Sequence, residues 1–516
     1  MFLEDVEESW DLVVIGGGIT GAGILLEAAR AGLRALLLEQ RDFAWGTSGR
    51  SSKLVHGGLR YIRDGHLMLT RVSVRERERL LREAAGLVEP LEFVIPIYDG
   101  HKLGKKALGF ALTIYSILAH KRQHVYLEAA ELRERASLLV SEGLQGGFQY
   151  LDARVDDARL VLRVIQEAES LGACALNYCA VTEVRRSRAG KMRGVGVRDV
   201  ETGVERSFSS PVVINATGAW AESLHPCPEP GRRIRPLRGS HLVFPASVIP
   251  LERALTLEHP VDQRPVFLIP WEGVVVYGTT DLDHHEDLSH EPVISTEEAR
   301  YLMEGLRHIL PGVSTAQCLS SYAGVRPVLS RGDRPPSKES REHAVWKDEG
   351  LVTVTGGKLT TFRRLAWDAL HAAGVLPGKG EREERKAPVF VRTAEILNRP
   401  PDLSPETWAR LMGRYGAAAG DMVAAAGAGD LDAVPGTRTL WVELAHAARC
   451  GKVRHLEDLL LRRVRLGVCT PLGGREHIER VRTLCAPHLP WDQRRWEEEI
   501  AAYVRLWEHH YAPPKV

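Results

Sequence analysis

The stretch "SSKLVHGGLRY", residues 51–61, sets a histidine between a lysine and an arginine, next to paired glycines and a tyrosine. An imidazole titrates near working pH and can take a proton, while lysine and arginine can hold an anion. The same run could serve as a polar loop, a phosphate cradle or the floor of an active site. A second concentration of chemistry is "VVIGGGITGAG", which carries Gly16, Gly18 and Gly21 at the G-x-G-x-x-G spacing. In that motif the first glycine makes the tight turn, the second lets the backbone approach a pyrophosphate, and the third lets helix and strand pack closely.

The elements around the glycines decide what the motif is worth. "LVVIGG", from Leu12, reads as a strand buried on both faces, "GAGILLEAARAG" as a helix stopping at Gly32, and "RALLLEQ" as the next strand. This is a β-α-β unit with Glu39 at the end of its second strand, where a carboxylate accepts hydrogen bonds from ribose hydroxyls and repels a 2′-phosphate, disfavouring NADP. Leu25 stands where a small residue often follows the third glycine, so helix and strand must pack slightly differently. Three further segments combine small residues with hydroxyl or amide groups: "GTSGRSSKLVHGG", "NATGAW" at 215–220 and "TGGKLTT" at 355–361. Ligand-like stretches spread this far along a chain favour FAD over NAD.

Residues 69–85 alternate Arg and Glu and read as a solvated helix without chemistry. Strand-like segments return around 181–220, and 236–281 is rich in short strands, which predicts a mainly antiparallel layer. Residues 376–388 read as a charged linker, and beyond about residue 395 the pattern is helical.

The chain of 516 residues is long enough for two or three domains, and 68 basic against 67 acidic side chains give no global basic field for nucleic acid. Seven scattered cysteines without a C-x-x-C pair argue against structural zinc and a disulfide framework. The acidic start "MFLEDVEESW" lacks a signal-peptide pattern, and the expected location is cytoplasmic. "ALGFALTIYSIL", residues 107–118, is too short to span a bilayer but has Lys102, Lys105, Lys106, Lys121 and Arg122 at its ends. It is either a buried helix or one lying in a membrane interface among anionic headgroups.

The set "IGGGITGAG", "TSGRSSKLVHGGLRY", "VDDARLV", "NATGAW", "RGSHLV", "IPWEGVVVYGTTD", "YAGVRP" and "GGKLTTFRRLA" resembles the FAD-dependent glycerol-3-phosphate dehydrogenase family, in the family's order, and "ELAHAARCGKVRHLEDLLLRRVRLG" resembles its C-terminal domain. The resemblance implies a Rossmann-like FAD-binding domain from 1–75, 145–235 and 320–376, an antiparallel-sheet substrate- and membrane-contacting domain from 76–144 and 236–319, and a helical domain from 389–516. It implies oxidation of sn-glycerol 3-phosphate to dihydroxyacetone phosphate, with electrons passed from FAD to a membrane quinone by a peripheral protein on the inner face of the cell membrane. Oligomeric state is left open, a homodimer included.

By the same resemblance, Arg60, Tyr61, Arg326, Arg341 and Lys358 grip the substrate, with Arg326 also able to polarise the reacting hydroxyl. For the proton acceptor His56 is the first candidate and His241 its competitor. The cofactor set comprises Gly16, Gly17, Gly18, Thr20, Gly21, Glu39 and Gln40 of the β-α-β unit, then Thr47, Ser48, Ser51, Ser52, Lys53, Leu54, Gly57 and Gly58. Val181, Ala216, Thr217, Gly218, Gly357, Lys358, Leu359 and Thr360 complete it. Competing readings are an oxidase that reduces oxygen to peroxide, an amine or amino-acid oxidase on the same fold, and a flavin-binding scaffold.

Overall fold

The run Leu12–Ile15 forms a strand with every residue buried, as does Ala35–Leu38, and the helix Ile19–Arg30 links them. The two strands pair in parallel, and Val213–Asn215, Leu351–Gly356 and Cys174–Leu176 extend the sheet in the same sense. An antiparallel strand, His343–Asp348, closes one edge to give six strands. Strands covered on both faces need no polar alternation, which explains the continuous apolar runs. Leu25 is fully buried in the core that this sheet shares with its helices. The computed structural model describes residues 3–63, 65–100, 104–121, 124–229, 232–330, 332, 339, 342–376, 387–391 and 398–516, with the side chains of residues 60 and 63 outside that description.

The second sheet is the expected mainly antiparallel layer, with nine strands and one parallel pair, Ala254–Glu258 beside Val88–Tyr98. Its long pair, Arg233–Pro245 against Ser320–Ser330, sets His241 opposite Tyr322 and Leu237 opposite Arg326. Leu144–Val155 and Ser320–Ser330 both belong to this sheet, although the sequence reading assigns those segments to the dinucleotide unit. The reason is local: Leu144–Val155 has mixed burial and antiparallel neighbours on both edges, Val88–Tyr98 and His124–Glu128.

Two helices cover one end of this sheet. Leu67–Glu83 is not a simply solvated helix, because Thr70, Ser73, Val74, Arg77 and Leu80 turn inward. Arg77 is fully buried and donates to Asp152 at 3.1 Å and to the Tyr115 hydroxyl at 2.9 Å. The helix Lys105–Leu118 buries Leu108, Leu112 and Tyr115 and leaves Phe110 at 70% and Ile117 at 65% exposure, so it is half-buried rather than wholly inside. Among the described residues no helix is long and apolar enough to cross a membrane.

Beyond residue 398 the chain is helical, with Pro405–Tyr415 capped by Ser404 and Gln493–His510 capped by Asp492. It is joined to the parallel sheet by buried ion pairs. Asp42 accepts from both Arg462 and Arg463, including Arg463 Nη2 at 2.8 Å, and from Asn177 at 3.0 Å. Against the burial that would raise it, the two guanidinium groups hold the Asp42 carboxyl well below the usual range.

Candidate active site

The two sheets enclose a cavity of about 990 Å³. One end is the glycine turn. Gly16 has φ 109°, and a Cβ there would lie 2.7 Å from the Ala216 carbonyl oxygen, while one at Gly21 would lie 1.9 Å from the Gly16 carbonyl. Glu39 accepts from the Gly17 N–H at 2.7 Å and the Arg41 N–H at 2.8 Å, and burial pushes its pKa up. Ser48 Oγ accepts from the Ile19 N–H at 2.9 Å, fixing the start of the helix that points at the cavity.

Gly16, Gly18, Thr20, Glu39 and Gln40 line this end, with Thr47 and Ser48 beside them. Val181, Ala216, Thr217 and Gly218 form a second side, and Gly357, Leu359 and Thr360 a third. A cavity of this volume, a glycine turn without room for side chains, a carboxylate after the second strand and a helix N-terminus together fit a dinucleotide such as FAD.

The other end gathers the candidates for chemistry. His56, Tyr61, His241, Arg326 and Lys358 all line it, with Ser51, Ser52, Leu54 and Gly58 on the floor. Lys358 Nζ lies 3.7 Å from the centroid of the Tyr61 ring and donates to Ser73 Oγ at 3.0 Å. The His56 ring stacks loosely on Tyr61, centroids 6.4 Å apart. Arg326 donates to Asp281 Oδ1 at 2.9 Å and to Thr279 Oγ1 at 3.0 Å. A Cβ at Gly239 would lie 2.1 Å from Arg326 Nη2, so only glycine leaves that guanidinium its place. His241 is buried, stacks on Tyr322 at 4.7 Å, shares a 2.8 Å hydrogen bond with Ser52 Oγ through Nε2, and among the described residues has no partner at Nδ1. Burial, then Arg326 and Lys53, push its pKa well below 6.5 and keep the ring neutral.

Four residues expected at the cofactor do not line the cavity. Lys53, at φ 59°, turns away from it and donates to Asp157 at 2.9 Å and to the Gly49 carbonyl at 2.8 Å. Gly57 gives its N–H to Asp152 at 3.1 Å, and a Cβ there would lie 2.2 Å from the Tyr115 hydroxyl, so its smallness serves the wall behind the cavity. Gly17 faces Glu39, and Gly21 faces the Gly16 carbonyl. Arg341 and the Arg60 side chain lie outside the described residues. The residues that sequence reasoning passed over are Asp281 and Thr279, both within "GTTD", and Ser73, on the helix set aside as solvated. The signal was present for the first two, since a carboxylate beside a candidate anion-binding arginine is its natural partner. Among the described residues no cluster of His, Cys, Asp or Glu could hold a metal ion.

A parallel sheet and a mainly antiparallel one, together with the small sheet of Cys179–Arg186, Met192–Asp199 and Glu205–Ser209 and sharing this cradle, are the fold of an FAD-dependent oxidoreductase. The FAD dependent oxidoreductase family model matches residues 11–363, and that of the C-terminal domain of alpha-glycerophosphate oxidase matches 375–496. The chain is 37% identical over 374 residues to the aerobic glycerol-3-phosphate dehydrogenase of Bacillus subtilis, covering 71% of this chain and 67% of that one. It is 35% identical over 520 residues to glycerol-3-phosphate dehydrogenase 2 of Mycobacterium tuberculosis, covering 96% and 88%. The FAD-complexed crystal structure of the glycerol-3-phosphate dehydrogenase from Bacillus halodurans superposes with a TM-score of 0.73 at 26% identity, over 98% of this chain and 96% of that one. The chain belongs to the FAD-dependent glycerol-3-phosphate dehydrogenase and oxidase family.

Proposed function

We propose that this enzyme oxidises sn-glycerol 3-phosphate to dihydroxyacetone phosphate and delivers the electrons to a membrane quinone from the cytoplasmic face. The observation that carries the reading is that Lys358, Tyr61 and Arg326 line, with two histidines, the same cavity as the glycine turn. Lys358 and Tyr61 hold the phosphate, one by charge and the other by its hydroxyl, with Arg60 and Arg341 assigned to the same role. Arg326, steadied by Asp281 and Thr279, lies against the C2 hydroxyl and favours the developing alkoxide. His56 accepts the hydroxyl proton, because the His241 Nε2 is engaged with Ser52 Oγ and its ring resists charge. His241 then orients Ser52 on the cavity floor. FAD, when bound, supplies the acceptor for the hydride that leaves C2 and is reoxidised by the quinone.

Support for a membrane acceptor comes from one surface. Met68 at 67% exposure, Leu67, Phe110 and Ile117 are exposed apolar residues on adjacent helices, with exposed Lys105, Lys106 and Lys121 around them. Apolar side chains rimmed by lysines suit an anionic lipid surface. A second reading, an oxidase that gives its electrons to oxygen, is favoured by the C-terminal match.

Anaerobic titration of the purified flavoprotein with glycerol 3-phosphate tests the substrate: stoichiometric bleaching of the flavin is expected, and an unchanged spectrum would overturn the reading. Reoxidation then separates acceptors, with fast turnover on a soluble quinone and little peroxide expected. Abundant peroxide would make the chain an oxidase.

A further inference from the structure

The loop that forms the cavity floor is held from behind by the C-terminal helices. Asp157, fully buried at the start of the helix Asp157–Ser170, accepts from the Ser51 N–H at 2.9 Å, from Ser51 Oγ at 2.7 Å and from Lys53 Nζ at 2.9 Å. The same carboxylate accepts from Arg465 Nη2, whose Nε donates to Asp156 at 3.0 Å and whose Nη1 donates to the Gly49 carbonyl at 3.3 Å. Arg465 is buried and lies between two C-terminal helical turns, Asp458–Arg463 and Leu466–Cys469. One guanidinium therefore reaches both the loop and the acid that anchors it.

Backbone strain marks the same place. Lys53 at φ 59° and Arg465 at φ 63° both occupy the left-handed region that favours glycine, and both direct their charge at Asp157. Non-glycine residues keep such conformations where surrounding contacts over-determine them, and such residues gather at functional sites. The loop is next to the chemistry: Ser52 Oγ meets His241 Nε2 at 2.8 Å, and the Tyr322 ring that supports His241 donates its hydroxyl to the Ser51 carbonyl at 2.9 Å.

We propose that Arg465 is a positioning residue of the active site: through Asp157 and the Gly49 carbonyl it fixes residues 49–53 so that Ser52 presents its hydroxyl to His241. The C-terminal helical region is thereby part of the catalytic apparatus and not a separate module. The inference rests on the proposed function only for the choice of substrate probe.

The test is a double-mutant cycle on the holoenzyme with Arg465→Gln and Ser52→Ala, read as the limiting rate of flavin reduction by glycerol 3-phosphate and as the dissociation constant for FAD. If Arg465 acts through Ser52, each single change slows reduction about tenfold, the apparent substrate constant stays within about threefold, and the double variant is no more than about twofold slower than the slower single. Effects that multiply, or a wild-type rate in Arg465→Gln, overturn the proposal. His455→Gln, which removes a ring held between Glu201 at 2.7 Å and Glu499 at 3.0 Å at the same seam of the C-terminal helices with the rest of the chain, away from the loop, is the control. It is expected to lower the melting temperature and leave the reduction rate unchanged, and a loss equal to that of Arg465→Gln would assign the effect to the seam as a whole and overturn the proposal. Should Arg465→Gln fail to accumulate, Arg465→Lys takes its place in the cycle, keeping the charge while losing the fork that reaches Asp156, Asp157 and the Gly49 and Leu461 carbonyls. If wild-type protein is not reduced by glycerol 3-phosphate, the functional reading fails by itself, and non-additivity in FAD affinity still decides the role of Arg465.

Discussion

At the seam between the C-terminal helices and the rest of the chain, Asp42 meets Arg462 and Arg463, and His455 lies between Glu201 at 2.7 Å and Glu499 at 3.0 Å. Opposite charges there meet inside the protein. In the polar part of the cavity the balance differs: Arg326 pairs with Asp281 and still lines the cavity, and the buried His241 is kept neutral with no partner at Nδ1 among the described residues. A seam closes its charges on itself to hold pieces together, whereas a site leaves cationic and polar groups facing the space where a ligand will complete them. Loss of a group should therefore be felt as stability in one region and as rate in the other.

The contrast is tested most severely by Asp42→Ala, which leaves Arg462 and Arg463 buried without their carboxylate. A loss of about 3–5 kcal/mol in denaturant unfolding is expected, and a loss under about 1 kcal/mol would mean that the seam does not close its charges as described. Arg326→Met should shift the balance the other way, slowing flavin reduction about 10²–10³-fold while costing less stability than Asp42→Ala, because Arg264 still faces Asp281 at 3.7 Å. Gly16→Ala should weaken FAD binding before anything else, since its Cβ would lie 2.7 Å from the Ala216 carbonyl oxygen, and equilibrium flavin release measures it.

Proton linkage sharpens the comparison within the C-terminal helices. Burial, helped by Arg159 and Arg449, pushes the His446 pKa down to about 4. Between that value and the unfolded value near 6.5 the unfolded chain binds more protons, so stability is lost as pH falls through this window. His455 is opposite in sign: burial resists its charge, yet Glu201 and Glu499 raise its pKa to about 10, so its contribution is complete below pH 6.5 and fades as pH rises through 10. Thermal melts of His446→Gln across acid pH should be flatter than wild type, and those of His455→Gln flatter across alkaline pH. The smallest effect on stability is expected from Phe110→Ser, within about 0.5 kcal/mol because the ring is exposed. Its readout is co-sedimentation with anionic vesicles, and unchanged binding would remove this surface from the membrane reading.

The parts of the molecule legible in the sequence are those that local geometry dictates. The glycine turn, its two apolar strands and Glu39 follow from residues within one β-α-β unit. The direction of Lys53 did not follow, because its left-handed backbone turns the side chain out of the cavity, and nothing in "SSKLV" announces that. Arg77 and Ser73 were hidden by an Arg/Glu alternation that looks solvated until the inward face is counted. The sheet to which 144–155 belongs depends on partners on both edges, which composition does not encode. Arg465 was beyond reach for a plainer reason: its carboxylate partner Asp157 lies 308 positions away.

That separation has a consequence for assembly. Gly49 is 416 residues from Arg465, and Arg50 is 461 from Tyr511, whose hydroxyl it meets at 3.4 Å. During synthesis the floor of the cavity leaves the ribosome early and waits for its clamps until nearly all the rest has followed. The β-α-β unit Leu12–Leu38, whose two strands pair with each other, has no such delay, although the walls added by Ala216 and Gly357 follow later. In refolding followed by pulsed hydrogen exchange, amides around Gly16 should gain protection before those of residues 49–53, so the glycine turn is set before the floor of the cavity is clamped.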